Sequence, residues 1–478
     1  MKEENNIKRF NKEINIKRLA EENRDYKKIK KLKPILKIIF FIIGIIIFIT
    51  MLFYAVPYML GIFFKDISSI DDSDLQLETI IVSEEENAYY DLLELSDVDE
   101  YYSDEYLSDF YDQYMENGTF IGVDDWDEVQ INDVILGNDK IFNLIDQIAE
   151  KSIFQELVLS SPETISWDMI VRSIRGLTSK LELSHLKSVY LFRGGDEKGF
   201  LNEMIKSLKI GQMIQDSQAV LIQQLVGVAL KIKGLEEIQQ AIPLLTLTSD
   251  EIVSYVNELQ NFKENKDGWA LSLKVEYNMF LSVIDSMING NMEFFGEPTD
   301  MVTKKLKNGY SFQINKTKQL FADNTRLHIN NFQKPCGLID EPKFVLEWKI
   351  PGSGYLASKM NMILTENWAG KAIHDITVVS YKNMFNRSCE ADLMLSSSRI
   401  LMAIKAYKID TGDYPESLEK LVPQYISELP QDPFSGDKLK YSKEKKIIYS
   451  VGKDLIDLGG SKGDEWRDMD NPTFRIEF

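Results

Sequence analysis

Three histidines, two cysteines and a large stock of carboxylates are the side chains with which this chain could do chemistry. His185, His328 and His374 lie far apart, without the close pairing that brings imidazoles onto one zinc ion, so a zinc centre is not expected. His374 beside Asp375, together with Ser396, Ser397 and Ser398, supplies the residue types of a hydrolase triad, but no nucleophile-elbow motif accompanies them. Gly194 and Gly195 lack the Lys-Ser/Thr that follows a phosphate-binding loop, and they read as a turn. Cys336 and Cys389 form an even pair, and a disulfide between them would close a loop of about 50 residues. Two buried free thiols are the alternative. Paired acids performing general acid–base hydrolysis remain a second route to activity, although no motif singles out a pair.

The elements that would position these residues begin at a membrane. From Ile38 to Phe64 no residue is charged, a run longer than the roughly 20 residues that cross a bilayer as a helix. Lys33 and Lys37 flank its start, and beyond Lys65 no Lys or Arg appears until Lys140, so the positive-inside asymmetry predicts a cytoplasmic N-terminus. Tyr54 and Tyr58 suit an interfacial belt, while Pro57 and Gly61 kink or end the helix. A cleaved signal peptide is the competing reading, against which stand the long charged region, the long apolar run and the lack of an A-x-A site. The basic stretch before Pro34 could be a nucleic-acid arm. Its place beside a span instead suits the anionic inner leaflet, and the net charge of −20 disfavours nucleic acid elsewhere.

Residues 66–139 carry about two dozen Asp and Glu and no basic side chain. Such a segment is a solvated, partly helical stalk, or else a strip for calcium or a partner, although EF-hand spacing is missing. Helical periodicity then sets in with Ile141, Leu144, Ile145 and Ile148. Ser161-Pro162 reads as a helix start, Gly234 as the end of the helix through Leu225 and Leu230, and Thr248 with Glu251 as a capping box. AVLIQQLVGVAL is too short for a second span and reads as a buried core helix. Alternation of Phe344, Leu346, Trp348 and Ile350 predicts a strand, broken by the loop Pro351–Tyr355. This helical region resembles that of bacterial membrane-anchored proteins without an assigned activity, through GDEKGFLNEMIKSLKIGQMI, DSQAVLIQQLVGVAL and Glu276 in LKVEYNMF.

Toward the C-terminus, Leu393, Ile400, Leu401, Ile404 and Tyr407 share one helical stripe, stopped by Gly412 and Pro415. A short second helix is expected, with Leu418, Leu421, Val422 and Tyr425 as its apolar face. The turn-forming DPFSG, Asp432 to Gly436, precedes two short strands, KLKY and IIYSV, and a Gly- and Asp-rich tail. The ordered set AYKIDTGDYP, Leu-Val-Pro, Leu-Pro-x-Asp-Pro-Phe and Tyr-Ser-Val-Gly-x-Asp resembles the C-terminal domain of the major pseudopilin of bacterial type II secretion systems. That resemblance covers roughly a sixth of the chain. It implies a helix laid on a small antiparallel sheet and a structural calcium ion held by a C-terminal loop. The matching ligands are Asp454 and Asp457, joined by Asp464 or Glu465 alongside main-chain carbonyls. Leu455 stands where the family has a glycine, and the short leader, processing site and helix glutamate of pseudopilins are missing from the N-terminal region.

The expected architecture is therefore α+β and mainly α. It comprises a basic cytoplasmic tail (1–34), a transmembrane helix (35–64), an acidic stalk (65–139), a helix-hairpin domain (140–300), a mixed strand and helix region (301–390) and a pseudopilin-like domain (391–478). The expected role is that of a single-pass, extracytoplasmic envelope protein acting in structure or protein interaction, in a secretion-related setting. Envelope proteins are its expected partners, Ca2+ its expected ion, and nucleic acid is not expected. The alternative is an extracytoplasmic carboxylate-dependent hydrolase.

Overall fold

The structure is a computed structural model. It describes residues 41–48, 50–51, 55, 59, 62, 65–78, 82–101, 127–155, 167–262, 266–289, 309–340, 344–345, 365–461 and 470–478. The chain divides into two compact units, the first made of residues 1–67, 299–313 and 348–370, the second of everything else.

The first unit includes the expected span. The described residues of that run are helical and exposed, with Phe41 at 71 % and Ile62 at 61 % relative exposure. Among the described residues no helix is long and apolar enough to cross a membrane, and much of the Ile38–Phe64 run and all of the basic tail lie outside them. Elsewhere in this unit, buried Asn367 ties two segments together. Its amide donates to the Tyr310 carbonyl at 2.8 Å, and its side-chain oxygen accepts from Gln313 N at 2.8 Å. Asn367 holds φ at 54°, a left-handed value that asparagine tolerates better than most residues.

The second unit is mainly helical. Its helices are α1 (Ala88–Asp97), α2 (Glu128–Gly137), α3 (Asp139–Glu150), α4 (Trp167–Arg193), α5 (Glu197–Gln215), α6 (Leu221–Ala241), α7 (Ser249–Leu259), α8 (Lys266–Asn289) and α9 (Ile314–Phe332). The 44-residue α10 (Trp368–Thr411) starts in the first unit and completes the set. Strands β1 (Lys440–Ser442), β2 (Ile447–Tyr449) and β3 (Thr473–Arg475) form one antiparallel sheet in the order β1-β2-β3. Tyr441 pairs with Ile448, which pairs in turn with Phe474. The two strands expected from KLKY and IIYSV are thus present, and the C-terminal tail supplies a third.

Local sequence explains many of these boundaries. The four apolar residues predicted for α3 are all buried. At α7 the capping box forms: Glu251 N donates to Thr248 Oγ1 at 3.4 Å, and Thr248 N donates to Glu251 Oε2 at 2.9 Å. Lys198 lies 2.5 Å from Glu251, and that partner together with the capping bonds holds the carboxyl down at about 2. Gly412, at φ 79°, closes α10 by donating its N–H to the Lys408 carbonyl at 2.8 Å.

Three expectations are corrected. Gly234 does not end its helix. It lies inside α6, its Cβ position an ordinary 3.7 Å from Leu208 and the Met204 carbonyl, because packing on α5 outweighs glycine's weak helix propensity. The second short C-terminal helix is only a single 3-10 turn, Leu418–Leu421. Val422 is extended before a cis bond to Pro423 and 37 % exposed, as the residue preceding a proline is pushed out of the helical region. The acidic stretch is not stalk throughout either, since α1 and α2 bury Tyr89, Leu92, Leu95, Ile131 and Val134 within the main core. Residues 102–126 and Ser161-Pro162 lie outside the described residues, as does most of the expected strand near Trp348, of which only the exposed Phe344 and neighbouring Val345 are described, neither in a strand.

One core runs through the second unit, from Tyr89 through Leu208 and Leu235 to Ile404, Ile448 and Phe474. The C-terminal sheet and α10 are therefore built into the helical body rather than carried as a separate tip. Polar ties reinforce this union. Gln239 Nε2 donates to both Ser397 and Ser398 Oγ at 2.9 Å, Gln260 Oε1 accepts from Arg399 and Ser427, and Lys405 donates to the Pro243 carbonyl at 3.0 Å. A disulfide joins Cys336, just beyond α9, to Cys389 on α10. Beside it, Cys336 N and Gly337 N donate to the carbonyls of Pro433 and Phe434.

Two helix backbones meet closely at the α5–α6 crossing. A Cβ on Gly211 would sit 2.7 Å from the Gly227 carbonyl oxygen, and one on Gly227 would sit 2.6 Å from that of Gly211. Only two glycines allow these backbones to meet. Next to them Lys231, 1 % exposed, donates to Gln212 Oε1 at 2.9 Å and Gln215 Oε1 at 2.8 Å, which satisfies a charge that would otherwise be costly to bury.

Candidate functional site

The acids singled out from the sequence belong to the segment between β2 and β3. Asp454 and Asp457 are there and both are exposed; Asp464 and Glu465 lie outside the described residues. Each of the two described acids is bound to its own loop. Asp454 Oδ1 accepts from Ile456 N at 3.0 Å. Asp457 Oδ1 accepts from Gly459 N at 3.0 Å and from the Tyr449 hydroxyl at 3.1 Å. Burial, the hydrogen bond to Asp457 and that residue's charge together raise the Tyr449 phenol above its ordinary value.

The loop turns on Gly452, at φ 71°, where a Cβ would collide with the Asp470 carbonyl. Its centre is Asn471, which is fully buried. The Asn471 side-chain nitrogen donates to the Val451 carbonyl at 3.0 Å and to the Ile456 carbonyl at 2.8 Å, while its oxygen accepts from Leu458 N at 2.7 Å. Ser461 N donates to Thr473 Oγ1 at 2.9 Å, and Lys445 Nζ donates to the Gly459 carbonyl at 2.7 Å. Lys440 lies 3.9 Å from Asp457.

Under the loop sits a second buried organiser, Asp432 of the DPFSG turn, only 1 % exposed. Its carboxylate accepts from Phe434 N at 3.0 Å, Ser450 Oγ at 2.7 Å and Val451 N at 3.1 Å, pinning the turn to the end of β2. Hydrogen bonds of this charge-assisted kind are stronger than neutral ones. From the sequence Asp432 reads as a turn residue and not as an anchor, and nothing there singles out Asn471. An Asn-Pro pair in a polar tail carries no signal that would mark it.

The histidines lie elsewhere. His185 on α4 is buried and shares a 3.0 Å hydrogen bond with Ser207 of α5, and burial pulls its imidazole down to about 3. His328 on α9 is pulled down to about 4 by burial and by neighbouring His374. His374 Nδ1 is 2.9 Å from Asp375 Oδ1, which also accepts from Val345 N at 3.0 Å. The triad residue types are not brought together. His374 and Ser396 ride on one continuous helix, so a sequence separation of 22 puts them roughly 33 Å apart along its axis. Ser397 and Ser398 hydroxyls donate back to the Met394 carbonyl and accept from Gln239.

Among the described residues no three His, Cys, Asp or Glu side chains converge in a group that could hold a metal ion. No family model matches the chain, and neither a curated protein nor a solved structure matches it.

Proposed function

We propose that this chain is a single-pass membrane-anchored protein of the bacterial envelope whose body lies outside the cytoplasm and acts through protein contacts rather than catalysis. The observation that carries the reading is the Cys336–Cys389 disulfide, since such bonds persist in oxidising compartments and are rare in reducing ones. The exposed apolar helical residues between Phe41 and Ile62 add support, because water does not favour that much unburied hydrocarbon and a bilayer would cover it. The basic residues before the run and the acidic stretch after it give the orientation. The secretion-related, pseudopilin-like reading of residues 391–478 rests on the order of their sequence motifs.

Against a hydrolase stands the use made of four of the buried and half-buried acids. Asp375 and Asp432 hold main-chain N–H groups, Glu203 is held by Lys187 and Lys206, and Glu276 accepts from Leu221 N at the start of α6. Each is engaged as a tie.

Topology is the direct test. Protease applied to the outer face of the cell membrane is expected to digest the body and leave the basic tail intact, and non-reducing electrophoresis is expected to show the disulfide formed in cells. A protected body with an accessible tail would overturn the reading.

A further inference from the structure

A structural cation in a loop of this kind has one job, to draw several oxygen atoms of a polar segment to a point against their mutual repulsion. Here that job is already taken by donors of the chain. The Val451 and Ile456 carbonyls converge on the Asn471 amide, the Gly459 carbonyl on the Lys445 ammonium, and Lys440 stands beside Asp457. A divalent ion placed among these oxygens would have to displace the amide donor and would meet two lysine charges. Of the two described carboxylates, Asp454 and Asp457 each turn one oxygen to a loop N–H of their own, and among the described residues no group of three acids gathers to hold a metal.

We infer that Asn471 replaces a metal ion as the hub of this loop, so that residues 452–461 are ordered without calcium and keep Ile456 and Leu458 held outward. The loop is a protein-only version of a metal-closed one. Those two side chains, 56 % and 57 % exposed, are thereby presented by a loop whose order does not depend on the calcium concentration around it.

The amide exchange of Leu458 reads this directly, because its N–H is bound to Asn471. In the full-length protein, exchange at Leu458 and the melting temperature are expected to be the same in millimolar calcium chloride and in excess chelator. Asn471→Ala removes the hub and is expected to speed Leu458 exchange about tenfold in both conditions, the effect of losing a hydrogen bond. Asn471→Asp keeps the shape but turns the amide donor into a carboxylate facing two carbonyls. It is expected to show fast exchange in chelator and recovery in calcium, because it creates the oxygen cluster that the wild type avoids. Slower exchange or a higher melting temperature of the wild type in calcium would overturn the inference, as would normal exchange of Asn471→Asp in chelator. Because this readout is independent of topology and of partners, it can fail while the envelope reading stands.

Discussion

The α5–α6 crossing and the loop after β2 are ordered by opposite means. At the crossing, two glycines let helix backbones touch, and order comes from close packing of apolar surface with Lys231 and its glutamines enclosed. In the loop Leu455 packs against the core, but the backbone is held by Asn471 and Asp432, which gather its polar groups by hydrogen bonds. Packing is non-directional and spread over many side chains, so it tolerates most single changes but not a collision. A hydrogen-bonded hub is directional and concentrated, so one residue carries the loop.

The largest expected effect comes from the crossing. Gly211→Val places a side chain against the Gly227 carbonyl and is expected to destabilise the body by about 3 kcal/mol, measured by denaturant unfolding in detergent. A cost below half that would mean the helices can slide apart, and the contrast with the loop would weaken. Asp432→Ala strips three donors of their acceptor and is expected to cost about 2 kcal/mol, with faster exchange confined to residues near Ser450 and Phe434. Loosening that spreads to α5 would show that loop and crossing are not separable.

The effect that is smallest near neutral pH, and that grows as pH falls, belongs to His185. His185 is held neutral in the folded state, with its proton affinity depressed to about 3 against 6.5 for a free imidazole. The unfolded chain therefore takes up a proton that the folded chain refuses, so the stabilising contribution is complete above 6.5 and is lost as pH falls toward about 3. His185→Gln is expected to flatten the stability profile in that window by up to about 1.4 kcal/mol per pH unit. An unchanged slope would mean that the α4–α5 interface admits the charge.

The same contrast explains what was legible beforehand. Ile141, Leu144, Ile145 and Ile148 announce α3 because packing imposes a period on the sequence, and Thr248 with Glu251 announces α7 because a cap is local. The coarse class, mainly helical with a small antiparallel sheet, follows from such signals. Gly234 misleads because its local preference is overruled by a neighbour that sequence alone does not display. The helices α1 and α2 hide in acidic sequence because few apolar residues suffice to dock a short helix on a core that already exists. Asn471 is silent because its partners, Val451 and Ile456, lie 20 and 15 residues away, and nothing periodic links a hub to the carbonyls it collects. Asp454 and Asp457 stand out by type, yet the structure gives them local backbone bonds, and the organising role falls to a neutral amide.

The covalent tie between Cys336 and Cys389 also has a mechanical meaning. A protein fixed at one end and gripped at the other is loaded in tension, and the 53-residue separation between these cysteines corresponds to roughly 180 Å of extended chain. With the bond closed, that slack cannot be paid out. Load reaching the C-terminal sheet then passes through the bond from α10 to the segment after α9, so a pull on the sheet extends the molecule less than the length of the intervening chain alone would allow.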